Sequence, residues 1–154
     1  MNRLKRQEIL LIDEGEYDED SVLRMLHSNH LGEQLRHANP CGMQPDELTE
    51  KYYSLHPPAL IIFDLSLPKI GLIEMLQKIK KQERLAAVPV IALTGTVNDP
   101  NLAAYYRIGI SAHLLKPAGF GDFARTLIRL GLFDLLLAGT AEHSTVRLEQ
   151  RSGR

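Results

Sequence analysis

Four short apolar runs in this chain each stop on a polar residue. Ile9–Ile12 stops on Asp13 and Glu14, Ala59–Phe63 on Asp64, Val88–Leu93 on Thr94, and Ala112–Leu115 on Lys116 and Pro117. Runs this short, with no helical spacing and polar residues at their ends, read as buried strands. The pattern therefore predicts strands at 8–13, 59–64, 88–93 and 111–115. A weaker strand is predicted at 33–39, where Gln34, Arg36 and His37 suit a sheet edge.

Helical patterns fill the intervals. Residues 18–29 place Asp18, Glu19 and Asp20 in a first turn, where the helix dipole favours acids, and follow them with Val22, Leu23, Met25 and Leu26. Asn39–Gly42 reads as a turn, Pro45 as the first position of a second helix, and Pro57-Pro58 as its end. Leu72, Met75, Leu76 and Ile79 give 71–82 a three-to-four spacing. A fourth helix starts at Asp99-Pro100, carries Leu102, Ala103, Tyr105 and Tyr106, and is capped by Gly109. A long last helix is predicted over 121–137. Strand and helix alternate five times, which predicts an α/β fold: a five-stranded parallel sheet with helices on both faces and right-handed crossovers. We expect one domain over 1–137. Residues 138–154 have no apolar period and are expected to form a flexible tail.

Composition narrows the class. A hydrophobic share of 44% and a charged share of 24% are those of a globular protein with a core of its own. The net charge of −1 gives no electrostatic footprint for nucleic acid or for a membrane surface. The basic residues Arg3, Lys5 and Arg6 are too few to form one. The single cysteine, Cys41, excludes an internal disulfide and fits a reducing compartment. Ile9–Ile12 is too short for a signal peptide, and no apolar stretch is long enough to span a bilayer. A cytoplasmic location is the expectation.

In a parallel α/β sheet the carboxyl ends of the strands form the ligand crevice. There Asp13, Glu14 and Asp64 would converge, and like charges so placed repel unless a cation intervenes. An all-oxygen donor set of this kind suits Mg²⁺. With the charge balanced, Asp64 can attack phosphorus to give an aspartyl phosphate. Lys116 would bring positive charge and Thr94 a hydroxyl donor to the phosphoryl oxygens. Taken singly, each residue has a plainer role: a solvated acid or cap at a strand end, a capping hydroxyl, a surface lysine. Four strand ends carrying such residues in this order favour the phosphate chemistry.

With those residues in place, the sequence resembles the receiver domain of two-component response regulators, a flavodoxin-like fold. The resemblance rests on Ile9–Glu14, Asp64–Pro68, Leu93-Thr94 and Leu115–Pro117. From Leu67 to Leu137 it is similar to stand-alone regulators that partner phytochrome-type histidine kinases, through Leu67–Lys69, Glu74–Leu76, Ile79-Lys80, Leu85, Val88–Val90, Tyr106–Gly109, Phe120 and Phe123. The resemblance implies that Asp64 is the phosphoacceptor and that Asp13, Glu14, Asp64 and the carbonyl of Ser66 hold Mg²⁺. It implies that Thr94 and Lys116 grip the phosphoryl group and that Ser66 and Thr96 tune its hydrolysis. It also implies a cis peptide at Lys116-Pro117 and a sensor histidine kinase as partner.

Three positions depart from the family pattern. The acidic pair usually ends in aspartate, and here its second member is Glu14, whose extra methylene has to be fitted into a near-ideal Mg²⁺ geometry. Gly71 comes one place early. The position three before the lysine, usually an aromatic residue that turns inward on activation, is His113. These departures support an alternative, a phosphorylation-independent pseudo-receiver acting as an interaction module. An aspartyl-phosphate phosphatase is disfavoured because Ser66 stands where such enzymes carry a second acid. The family reading makes the chain a signalling protein rather than an enzyme, with at most self-phosphorylation and self-dephosphorylation chemistry. Too few residues follow 137 for an output domain, so it is expected to signal through its own surface. The last helix, with Leu127, Ile128, Leu130, Leu132, Phe133, Leu135, Leu136 and Leu137, carries more apolar residues than one core face needs, and a homodimer through this region is expected.

Overall fold

A computed structural model of the chain describes residues 7–13, 22–38, 57–65 and 72–137. Among these residues five strands form one parallel sheet: β1 (Ile9–Ile12), β2 (Leu35–Ala38), β3 (Leu60–Asp64), β4 (Val90–Thr94) and β5 (Ala112–Leu115), in the order β2-β1-β3-β4-β5. Every residue of β1, β3 and β4 is buried. A parallel strand covered on both faces is apolar along its length, which is why these strands read as runs broken only by the end residues Asp64 and Thr94. The helices are α1 (Val22–Ser28), α2 (Leu72–Lys81), α3 (Leu102–Ile108) and α4 (Phe120–Arg129).

The period of two along the strands sorts the core into two layers. Ile9, Leu11, Leu60, Ile62, Ile91 and Leu93 face α1 through Val22 and Leu26, and α4 through Phe123 and Leu127. Leu10, Ile12, Ile61, Phe63, Val90 and Ala92 face α2 through Met75, Leu76 and Ile79, and α3 through Tyr105. Each fully buried aliphatic or aromatic side chain stabilises the fold by about 1.5–3 kcal/mol relative to exposure.

Helix ends account for most differences from the sequence expectation. The predicted helix 121–137 is two pieces. At the end of α4 the N–H of Leu132 donates to the carbonyl of Leu127 (2.8 Å) and that of Gly131 to Ile128 (3.1 Å), with Gly131 at φ 77°. This is the Schellman arrangement, in which a left-handed residue closes the last turn and satisfies its carbonyls. A second helical stretch, 133–137, then returns Leu135 to the core. The same device ends α1, where Leu31 donates to Leu26 (2.9 Å) and His30 to His27 (3.3 Å), but here the left-handed residue is His30 at φ 64°. Gly109, at φ 135°, caps α3 as expected, its N–H on the carbonyl of Tyr105 at 3.0 Å.

Other boundaries move by a few residues. The N–H of Asn101 bonds Asp99 Oδ1 at 2.8 Å, so Asp99 and Pro100 form a turn ahead of α3. Val88 lies outside β4: its carbonyl accepts from Lys80 Nζ at 2.9 Å rather than from a strand. The predicted strand at 33–39 begins as a short 3-10 turn, Gly32–Gln34. The turn at 39–42 and the helix from Pro45 lie outside the described residues, as do the start of the predicted helix 18–29, residue 71 and the tail 138–154.

Candidate functional site

Parallel pairing in register brings the strand ends into line. Ile12 pairs with Phe63, Asp64 with Leu93, and Thr94 with Leu115. The ladder runs one residue past each end, through Asp13 N–H to Ala38 O (3.2 Å), Leu65 N–H to Leu93 O (2.8 Å) and Lys116 N–H to Thr94 O (2.8 Å). Asp13, Asp64, Thr94 and Lys116 therefore leave the carboxyl edge of four adjacent strands. The chain order reverses between β1 and β3, and the crevice at such a reversal is where open parallel sheets bind ligands.

The side chains complete the arrangement. Asp64 is 6% exposed, and its Oδ2 accepts a hydrogen bond from Lys116 Nζ at 2.9 Å. A charge-assisted contact across 52 residues holds the lysine over the carboxylate and removes much of the cost of burying it. Thr94 is buried at the end of β4, between the two strands that carry this pair. The peptide joining Lys116 to Pro117 is cis, as the resemblance implied. Thr96 is exposed in the loop that follows β4.

Asp13 is 7% exposed and is held by a residue that the sequence reading left in the sheet edge. His37, on β2, brings Nε2 to 2.5 Å from Asp13 Oδ1 and 3.2 Å from the Asp13 carbonyl oxygen. Register explains the reach: His37 pairs with Leu11 and Ala38 with Ile12, so the imidazole stands two residues behind the acid on the neighbouring strand, the spacing that keeps side chains on one face. Local pattern holds no such signal, because which strand flanks β1 is decided by topology.

Among the described residues Asp13 and Asp64 are the carboxylates at this crevice, and no group of three or more potential metal-ligating side chains forms there. Glu14 and Ser66, the other two expected donors, lie outside those residues. Two buried carboxylates on neighbouring strand ends give an oxygen donor set, which fits a hard divalent cation such as Mg²⁺.

A second region stands out by polarity. Leu115, Ile128, Phe133 and Leu137 are large apolar side chains exposed on β5, α4 and the stretch after it. On β5 itself His113 is also exposed, and its Nδ1 lies 2.7 Å from the Tyr106 hydroxyl of α3. No helix among the described residues is long and apolar enough to cross a membrane.

Comparison with known proteins adds the following. Residues 17–128 match the family model described as response regulator receiver domain. The methanogenesis regulatory protein FilR2 of Methanothrix harundinacea, so described as probable, is 40% identical over 70 residues, which are 46% of this chain and 45% of that protein. The chain thus spans less than half the length of that relative. The response regulator Rcp1 of Synechocystis is 28% identical over 116 residues, 74% of this chain and 79% of Rcp1. The solved bacteriophytochrome response regulator AtBRR superposes with a TM-score of 0.66 at 27% identity, covering 84% of this chain and 95% of its own.

Proposed function

The chain belongs to the response regulator receiver family of two-component signalling, and on that premise we propose that Asp64 accepts a phosphoryl group from a sensor histidine kinase. The observation that carries this reading is the Lys116 Nζ–Asp64 Oδ2 contact at 2.9 Å on a buried carboxylate in the switch-point crevice. In the proposed step an Asp64 carboxylate oxygen bonds to phosphorus while the nitrogen–phosphorus bond of the kinase's phosphohistidine breaks. The leaving imidazole keeps the bonding pair and takes up a proton. Lys116 stabilises negative charge on the phosphoryl oxygens, and the Thr94 hydroxyl donates to one of them.

Receiver domains in general bind Mg²⁺. In this chain Asp13, Glu14, Asp64 and the backbone carbonyl of Ser66 would hold it, and the bound ion would offset the carboxylate charge that otherwise opposes an incoming phosphate. The phosphoryl group brings roughly −1.5 to −2 charges into the crevice, and that change biases the protein toward its active form.

The likeness to Rcp1 and to a bacteriophytochrome response regulator supports a kinase of phytochrome type; the proposed exchange takes place in the cytoplasm, a reducing compartment that the single cysteine fits. The proposed output is the chain's own surface. The apolar set Leu115, Ile128, Phe133 and Leu137 supports pairing of two copies through β5 and the last helical segments.

Intact-mass spectrometry after incubation with acetyl phosphate, with and without Mg²⁺, tests the reading. The expected result is one phosphoryl adduct that needs Mg²⁺ and is absent from Asp64→Asn. No adduct from acetyl phosphate or from a partner kinase would instead support the phosphorylation-independent module.

A further inference from the structure

The geometry points to His37 as the positioning residue that sets Asp13 for a divalent cation, an inference that rests on the metal-dependent phosphoacceptor reading above. His37 Nε2 faces two oxygens of the same residue, Oδ1 at 2.5 Å and the main-chain carbonyl at 3.2 Å. A nitrogen lone pair would be repelled by both, so Nε2 carries the hydrogen and the imidazole acts as donor. This contact is available to the neutral ring.

One hydrogen bond to Oδ1 and one to the carbonyl of the same residue span the Asp13 side chain and fix its torsions. Fixing Oδ1 also fixes the direction in which Oδ2 points. Carboxylates that ligate metals are commonly oriented in this way by a hydrogen-bonding neighbour, and loss of such a neighbour typically weakens metal binding by about 10–100-fold. The neighbour here is itself anchored. β2 is paired with β1 along its whole length, and Arg36, beside His37, forms an ion pair with Glu8 at the other end of β1. Edge strand and acid are thus held in one register.

The sequence gives this clamp a task. Residue 14 is glutamate where the family usually has aspartate, and the longer side chain has more rotamers to lose on reaching an ion. A pre-set Asp13 provides the fixed oxygen around which a longer partner can adjust.

The test is isothermal titration of the full-length protein with MgCl₂, repeated with MnCl₂ and read by loss of the free Mn²⁺ electron paramagnetic resonance signal. Wild type, His37→Leu, His37→Gln and Asp13→Asn are compared, with a melting curve for each. His37→Leu should bind either ion roughly tenfold or more weakly. His37→Gln, which keeps an N–H donor at similar reach, should recover most of that loss, whereas a purely structural role would follow the melting temperature instead. Wild-type affinity in His37→Leu, or tighter binding, would overturn the inference and leave the metal site standing. Wild type that binds neither ion would overturn both.

Discussion

The Tyr106 hydroxyl and His113 Nδ1 are 2.7 Å apart, with their rings edge to face at a centroid distance of 5.7 Å and an angle of 85°. This tether joins α3 to β5 at the position where related receivers carry a mobile aromatic residue. Burial raises the tyrosine pKa, with Arg129 opposing the shift, so the hydroxyl keeps its proton at neutral pH and can donate it.

With the hydroxyl as donor, that contact predicts Nδ1 as the acceptor and the imidazole hydrogen on Nε2. Nitrogen-15 shifts of the imidazole check it: Nδ1 should report as an acceptor in wild type, and the preference should relax in Tyr106→Phe. The contact is exposed, so the same substitution should cost no more than about 0.5–1.5 kcal/mol.

Lys116→Met should slow adduct formation from acetyl phosphate by roughly 100-fold or more, the scale on which a single pre-positioned charge stabiliser acts. Thr94→Ala should fall less. The rate of appearance of the phosphoryl adduct by mass separates the two, and an undiminished rate in Lys116→Met would remove the lysine from the proposed chemistry.

The two Schellman ends make opposite predictions. His30 holds φ 64° without being glycine, so His30→Gly should raise stability, by at most about 1 kcal/mol, because relief of the left-handed strain is offset by a looser unfolded chain. Gly131 holds φ 77°, and Gly131→Ala should cost about 1–2 kcal/mol. Urea unfolding of both variants tests the pair.

Tyr105 is buried beside Asp99, and both burial and that carboxylate raise its pKa. The folded state then holds a proton that the unfolded state releases more readily. Stability should therefore be unaffected below the ordinary tyrosine range and should fall as pH climbs past roughly 10. Tyr105→Phe should flatten that alkaline loss, measured as midpoint against pH.

If copies pair through the exposed apolar set, Phe133→Glu should yield a monomer in light scattering whose thermal midpoint matches that of dilute wild type, since Phe133 is half exposed. A wild type that is monomeric with and without acetyl phosphate would remove that surface from the proposal.

Much of this was legible in the chain because the buried strands are uninterrupted apolar runs with a polar stop. Asp13, Asp64, Thr94 and Lys116 could be placed on one edge before any coordinates. The break in the last helix could not, because Leu130 and Leu132 continue the apolar spacing across Gly131 and only a positive φ reveals the stop. Val88 looked like strand for the same reason, whereas its carbonyl goes to the Lys80 amine. His37 was hidden more deeply: its partnership with Asp13 depends on β2 lying beside β1 in a fixed register, and no local pattern encodes a neighbour 24 residues away.

The burial pattern across the sheet has a kinetic consequence. β1, β3 and β4 are buried at every position, whereas β5 alternates between half-buried and exposed. Amide hydrogens on β3 should exchange with solvent only when the whole domain opens, and those on β5 through smaller, more frequent excursions. On that expectation Asp64 ends a strand that opens last, and Lys116 follows one that opens more readily. The proposed acceptor would then be a fixed post, and the lysine bonded to it would follow the strand best able to give way.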